Sequence, residues 1–289
     1  MIKTHSYHSE NEGPHLLVTG AVHGNELCGP EGIKRVMAKL QKIERGSVTF
    51  IPVCNPLAHE KNVRFIDTNL NRSFSTQDTS GNENKLKLVL RPYLERADYL
   101  MDIHSYTAGP DQFICAGDKS EDEWAFIQAS SIAKYISGFQ RGRQSEEERQ
   151  LAKGTTEYAR EHGTIAFTLE CGQHKDPASI DAAERTIWQI MDFLGIVKDG
   201  PFKADTTQKS RAVYDIQHTE YRTREGRFLQ PWRQFQYVEA GTEMAEYEDG
   251  EIIKAAISGY LIMPNEKVPL NGEWFFISEL IEDEKRKAA

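Results

Sequence analysis

The chain has 289 residues, 39% hydrophobic and 27% charged, with a formal net charge of −9. That composition suits a globular chain with a full apolar core, and its acidic balance argues against nucleic acid as a main partner, because phosphate binding needs a basic surface. No run of about 18 apolar residues occurs, so no membrane span is expected, and residues 1–15 lack the apolar segment of a signal peptide.

Residues 15–19, HLLVT, read as a buried strand. Residues 29–43, GPEGIKRVMAKLQKI, read as a helix with Ile33, Val36, Met37 and Leu40 on one face. Residues 47–54, SVTFIPVC, are strand-like, and this β-α-β order is the unit of a mostly parallel sheet. Residues 55–80 are polar and irregular; a loop this long inside a compact domain is often functional. ENKLKLVLRPYLERA is predicted helical, bent or broken near Pro92. DYLMDIH (98–104) and QFICAG (112–117) read as strands, and DEWAFIQASSIAKYI (122–136) as an amphipathic helix. LAKGTTEYAREHG (151–163) reads as a helix closed by Gly163, and TIAFTLECG (164–172) as a strand. SIDAAERTIWQIMDFLGI (179–196) is a strong helix, with Ser179 or Asp181 placed to cap its start.

The texture changes near residue 200 to short strand-like runs separated by glycine, proline and charge clusters. The expectation is an α/β domain over 1–199, with a mixed, largely parallel central sheet flanked by helices. A small all-β domain over 200–289 follows and partly covers the active site. The tail, EDEKRKAA, reads as a solvated end. The four cysteines (Cys28, Cys54, Cys115, Cys171) have no CxxC spacing, which predicts free thiols in a reducing cytoplasm. A homo-oligomer stays open.

The chemistry gathers at strand ends. TGAVHGNELCGPEG follows the first buried strand and places His23 and Glu26 three apart, before a helix. In α/β sheets, ligands bind just past the carboxyl ends of strands. A second strand, YLMDIH, ends in His104, which can complete a His/Glu/His set for a metal such as zinc. Asp102 points to the same side as His104, as an outer partner of that histidine or a plain turn carboxylate. A third strand ends in Glu170, which near a metal can take a proton from the bound water. In the long loop, NVRFIDTNLNRSF carries Arg64, Asn71 and Arg72, and a guanidinium can hold a carboxylate or polarise a carbonyl. His174 is the remaining histidine nearest this chemistry. Cys171 should alternate to the opposite face from Glu170 and pack there.

GAVHGNE, the NP at 55–56, RFIDTNLNRSF, DIHS and TLECG occur in the order of the succinylglutamate desuccinylase/aspartoacylase family, relatives of the zinc carboxypeptidases, and the chain resembles that family over residues 15–172. The resemblance implies a zinc-carboxypeptidase-like fold. It also implies one zinc per chain and hydrolysis of the amide bond of a small, anionic N-acyl amino acid. His23, Glu26 and His104 would bind zinc, and Glu170 would activate the zinc-bound water as general base. Arg64 would polarise the carbonyl, and Asn71 and Arg72 would hold a substrate carboxylate. Arg160 matches, by spacing alone, an arginine the family uses ten residues before its catalytic glutamate. Aspartoacylases proper also reach into the site with a tyrosine from the C-terminal domain. Here Tyr260 and Trp274 are loose candidates that read better as core aromatics, and the stretch after His104 departs too, so N-acetylaspartate is disfavoured as substrate. The rival readings are a zinc carboxypeptidase acting on short peptides and a non-catalytic binding protein on the same scaffold.

Overall fold

Strands buried on both faces read as apolar runs, and those runs organise the molecule. In the computed structural model, which describes residues 1–107, 109–117, 120–140, 153–204 and 211–282, the chain begins with β1 (His5–His8), β2 (His15–Gly20), α1 (Cys28–Lys39), β3 (Ser47–Ile51) and α2 (Pro56–Glu60). A 3-10 turn (Leu70–Arg72) precedes α3 (Gly81–Leu94), β4 (Tyr99–Tyr106), β5 (Phe113–Cys115), α4 (Glu121–Gln128) and β6 (Lys134–Ser137). Then come α5 (Thr155–Glu161), β7 (Ile165–Gln173) and α6 (Pro177–Phe193). The last part is β only among the described residues: β8 (Ala212–Tyr221), β9 (Gly226–Phe228), β10 (Tyr237–Val238), β11 (Glu243–Tyr247), β12 (Ile252–Lys254), β13 (Gly259–Ile262) and β14 (Glu273–Glu282).

One large mixed sheet runs β1-β3-β2-β4-β7-β5-β6-β8-β14-β13-β10, and a separate small sheet runs β12-β11-β9. The centre, β3-β2-β4-β7, is parallel. One face carries Met101 and Ile103 of β4 and Phe167, Leu169 and Cys171 of β7, packed with Ile33 of α1, Phe126 of α4 and Ile187 of α6. The other face carries Leu100 and Ala166 under Leu90 of α3 and Tyr158 of α5. Side chains alternate along a strand, so Asp102 and His104 share Leu100's face, and Thr168 and Glu170 share Ala166's.

Several elements differ from their sequence reading. The expected helix over 122–136 stops at Gln128, and Lys134–Ser137 is a strand. Serine side chains take over at the break: Ser130 Oγ donates to the Ile127 carbonyl, and the Ser131 N–H donates to Gln189. Such local bonds compete with helix continuation. α6 is capped by Asp176, which accepts from the Ala178 N–H with Pro177 in the first turn, rather than by Ser179 or Asp181. α3 continues through Pro92 to Leu94. The large sheet does not stop at residue 200, since β8 pairs in parallel with β6, and β14, β13 and β10 extend the same sheet. The tail at 283–289 and the start of the helix expected from 151 lie outside the described residues. Among the described residues no helix is long and apolar enough to cross a membrane.

Candidate active site

β2 ends at Gly20, and the chain turns through Ala21, whose φ of 43° is unusual for a residue with a Cβ. The turn carries His23 and Glu26 back over the sheet edge. Gly24 lies so close to α2 that a Cβ there would overlap the backbone of Ala58 and His59. The glycine after His23 is thus a packing requirement of this turn.

His23 and His104 face each other with their Nδ1 atoms 3.2 Å apart. Their outer nitrogens are both engaged: His104 Nε2 lies 2.9 Å from Asp102 Oδ2, and His23 Nε2 lies 3.0 Å from Asn69 Oδ1. Asn69 Oδ1 also accepts from the Asn71 N–H, which fixes it as the oxygen end of the amide. Both outer partners are pure acceptors, so each Nε2 carries a proton, and each ring, when neutral, turns a lone pair inward. Glu26 closes the set, with Oε1 2.8 Å from His23 Nδ1 and Oε2 2.9 Å from His104 Nδ1. One ligand atom from each residue lies within 4.8 Å of the others, and all three residues are buried.

Two lone pairs and a carboxylate meeting in a buried spot require positive charge between them. Without a metal, a proton has to serve. Burial works against a charged His104, yet Asp102 and Glu26 on either side hold it well above the usual histidine range. His23 is pushed down to about 4, by burial first and then by Arg64. Glu26 stays well below the usual carboxylate range, because the two imidazoles outweigh its burial. Two nitrogens and one carboxylate also form a donor set that suits zinc and leaves room for water. The residues therefore fit the ion.

Asp102 is itself held. Thr19 Oγ1 donates to its Oδ1 at 2.6 Å, and Thr155 Oγ1 donates to its Oδ2. Ser105 donates its N–H to Glu26 Oε2 at 3.1 Å, while its hydroxyl lies 2.7 Å from His174 Nδ1. His174 therefore borders the site through Ser105.

In the parallel pairing of β4 and β7, His104 stands directly opposite Glu170. Glu170 is buried, and its Oε2 has no hydrogen-bond partner among the described residues. Burial raises its carboxyl to about 8; Glu26 and Asp102 add to the rise, while His104 and Arg64 oppose it. An unpaired oxygen on a buried carboxyl marks a place for a water or a substrate atom. Cys171, one residue on, packs on the opposite face, as alternation requires.

The long loop is pinned from below by two side chains one helical turn apart on α3. Glu83 accepts from the N–H groups of Ile66, Asp67 and Thr68 and from Asn55 Nδ2. Lys87 donates to the carbonyls of Ser73, Thr76 and Asp78. Burial disfavours a charged Glu83, but these donors outweigh it and lower the carboxyl to about 2 from its ordinary 4.5. A carboxyl with a depressed folded value stabilises fully above about 4.5 and loses that contribution as pH falls towards about 2. Glu83→Gln turns an acceptor into a donor against the N–H groups of Asp67 and Thr68. Denaturant titration should show a loss of about 2 kcal/mol at pH 7, and the gap from wild type should narrow at pH 3.

Arg64 reaches the His23–Glu26–His104 cluster, with Nη1 3.2 Å from Glu26 Oε1, and stays half-exposed. Asn71 Oδ1 accepts from the Thr155 N–H at the start of α5, and Gly154 is needed there because a Cβ would overlap that oxygen. Arg72 bonds the Asn71 carbonyl and faces Glu273 of β14 at 3.7 Å. Arg160 donates through Nη2 to Glu123 and to the Ala166 carbonyl, four residues before Glu170 on β7. Tyr260 packs against Tyr214 and Tyr237, and Trp274 is fully buried between Phe228 and Tyr247, so both are core aromatics.

Asn69, Thr19, Thr155, Glu83 and Lys87 escaped the sequence reading. Asn69 was findable, since it lies in the same Asn/Arg-rich loop as Asn71. Thr19 and Thr155 needed strand register and helix placement.

Fold and site together define a class: an α/β protein with a buried His-Glu-His cluster that could hold a cation, at the carboxyl ends of parallel strands, and an acid beside it. The chain belongs to the succinylglutamate desuccinylase/aspartoacylase family, whose catalytic domain matches residues 12–194. It is 33% identical over 99 residues to the aspartoacylase of Xenopus tropicalis, covering 34% of this chain and 31% of that protein. It is 31% identical over 105 residues to the N-acyl-aromatic-L-amino acid amidohydrolase (carboxylate-forming) of the same organism, covering 32% of this chain and 34% of that protein. The matched stretch thus spans about a third of each curated relative. In fold it is similar to the crystal structure of succinylglutamatedesuccinylase/aspartoacylase from Rhodobacter sphaeroides, with TM-score 0.77 and 16% identity over 98% of this chain and 90% of that one. It is also similar to the product-bound Ectoine utilization protein EutE (DoeB) from Ruegeria pomeroyi, with TM-score 0.74 and 20% identity over 96% of this chain and 89% of that one.

Proposed function

We propose that the protein is a zinc-dependent hydrolase that cleaves the amide bond of a small N-acyl amino acid. The observation that carries this reading is the buried Glu170 oxygen without a partner, set across from His104 in the His23–Glu26–His104 cluster. Family membership and the amidohydrolase named among the relatives support the same reaction class.

His23, Glu26 and His104 would hold the ion, with Asp102 and Asn69 fixing which imidazole nitrogens face it. Bound there, zinc supplies a Lewis acid for the carbonyl and lowers the pKa of water towards about 7. Glu170, as the carboxylate that a cation held beside it would favour, takes the proton from the attacking water and delivers it to the leaving nitrogen, which an amide requires because an amine anion leaves poorly. Arg64 donates to the carbonyl oxygen as negative charge develops there. Arg72 receives the substrate carboxylate, with Asn71 Nδ2 beside it, since the Oδ1 of that amide is already taken. Residues 1–199 form the catalytic part, and residues 200–289 border the pocket through Glu273. The four free thiols fit work in a reducing cytoplasm.

Zinc-loaded protein assayed against N-acetyl and N-succinyl amino acids and against dipeptides tests the reading. Cleavage of the acyl amino acids, with dipeptides at least tenfold slower, is the expected outcome. The reverse preference would make it a carboxypeptidase, and binding without turnover would make it a binding protein.

A further inference from the structure

Among the described residues, three arginines near the site each face a carboxylate. Arg64 lies on Glu26, Arg160 on Glu123 and Arg72 on Glu273. The third pair is the unusual one, because its acid comes from the C-terminal part of the chain. Glu273 is the first residue of β14, opposite Tyr221 on β8. Its neighbour Trp274 is fully buried in the C-terminal core, stacked between Phe228 and Tyr247 with ring centroids 5.4 and 5.5 Å away. That anchor sets where Glu273 stands. Its side chain is only 21% exposed and that of Arg72 is 38% exposed, so solvent screens the pair incompletely. The charge of Arg72 also reaches the face that carries Glu170: the Cys115 thiol, raised chiefly by burial and also by Glu170, is drawn back down by Arg160 and Arg72.

The consequence concerns how much negative charge the pocket accepts. A carboxylate arriving at Arg72 shares the guanidinium with Glu273. A second carboxylate on the same substrate then finds no cation among these three that lacks a carboxylate neighbour, and it meets Glu273 as a like charge. Like-charge juxtaposition is how sites reject unwanted ligands. Resting on the deacylase reading above, we propose that Glu273 is a specificity-determining residue: set against Arg72, it makes the site select acyl amino acids with a single carboxylate over those with two.

The test compares N-acetylalanine, with one carboxylate, and N-acetylaspartate, with two, in wild type and in Glu273→Gln. The amide keeps the size of the side chain and removes its charge. Two readouts are taken: kcat/KM for each compound, and calorimetric binding of each to zinc-loaded protein in the Glu170→Gln background. The expected result is that Glu273→Gln moves the ratio of the two compounds about tenfold towards the diacid in both readouts, the size of one like charge a few ångströms away in a partly screened site. Glu273→Ala should move it the same way, which covers any distortion of β14 by the amide. An unchanged ratio in both variants, or binding of neither compound by any of the proteins, overturns the proposal. If the compounds bind but are not hydrolysed, the deacylase reading fails while the binding ratio still decides the role of Glu273.

Discussion

Glu170→Gln should lower kcat for hydrolysis of an N-acyl amino acid by about 10³- to 10⁴-fold, the upper range for a group that moves protons in the transition state. The substitution is nearly isosteric, so the position across from His104 stays filled. The lost function is chemical: an amide neither takes a proton from water nor passes one to the departing nitrogen. Folding should survive, because Glu170 is buried with one oxygen unpaired and its carboxyl is already raised to about 8. A neutral amide there costs no more than the acid it replaces. Initial rates together with the zinc content of the purified variant check this. Full zinc content with a kcat within tenfold of wild type would remove Glu170 from the mechanism.

Loss of His104 should be the most damaging change to the proposed metal site. His104→Ala deletes one of the three proposed ligands and strands Asp102, a fully buried carboxylate whose remaining side-chain partners among the described residues would be Thr19 and Thr155. Zinc affinity should fall by at least about 10³-fold. Leaving a buried charge uncompensated costs about 3–5 kcal/mol, which in a chain of this size corresponds to a drop in melting temperature of roughly 10 °C. Asp102→Asn should be milder. It keeps the ligand but no longer dictates that the His104 proton sits on Nε2, and changes in such outer partners cost about 10–100-fold in affinity. Competition with a chromophoric chelator and thermal unfolding of the two variants give the order. Equal affinities for wild type and His104→Ala would contradict the assigned ligand set.

The strand ends of the site were legible because buried parallel strands are nearly all apolar, so the polar residue that closes each one stands out. His104 after YLMDI and Glu170 after TIAFTL are visible in this way. What a single chain does not display is register. That His104 faces Glu170, or that Thr19 meets Asp102, depends on how strands far apart in sequence align. The helix read over 122–136 failed for a related reason. Tyr135 and Ile136 fit a helical stripe as well as a strand, and pairing with β5 and β8 decides between them. Arg160 was placed by spacing alone, and its bonds to Glu123 and the Ala166 carbonyl could not be foreseen without knowing that α4 lies alongside β7. The texture change near residue 200 is real at the level of secondary structure, yet short strand runs do not reveal that four of them extend the first sheet.

The central claim is that His23, Glu26 and His104 share one ion. Zinc titrated into metal-stripped protein, with the coordination shell read by X-ray absorption, addresses it directly. The account predicts one equivalent bound through two imidazole nitrogens and a carboxylate, and loss of imidazole scattering in a His23→Ala, His104→Ala double variant. An all-oxygen shell in the wild type, or a shell unaltered in the double variant, would contradict it.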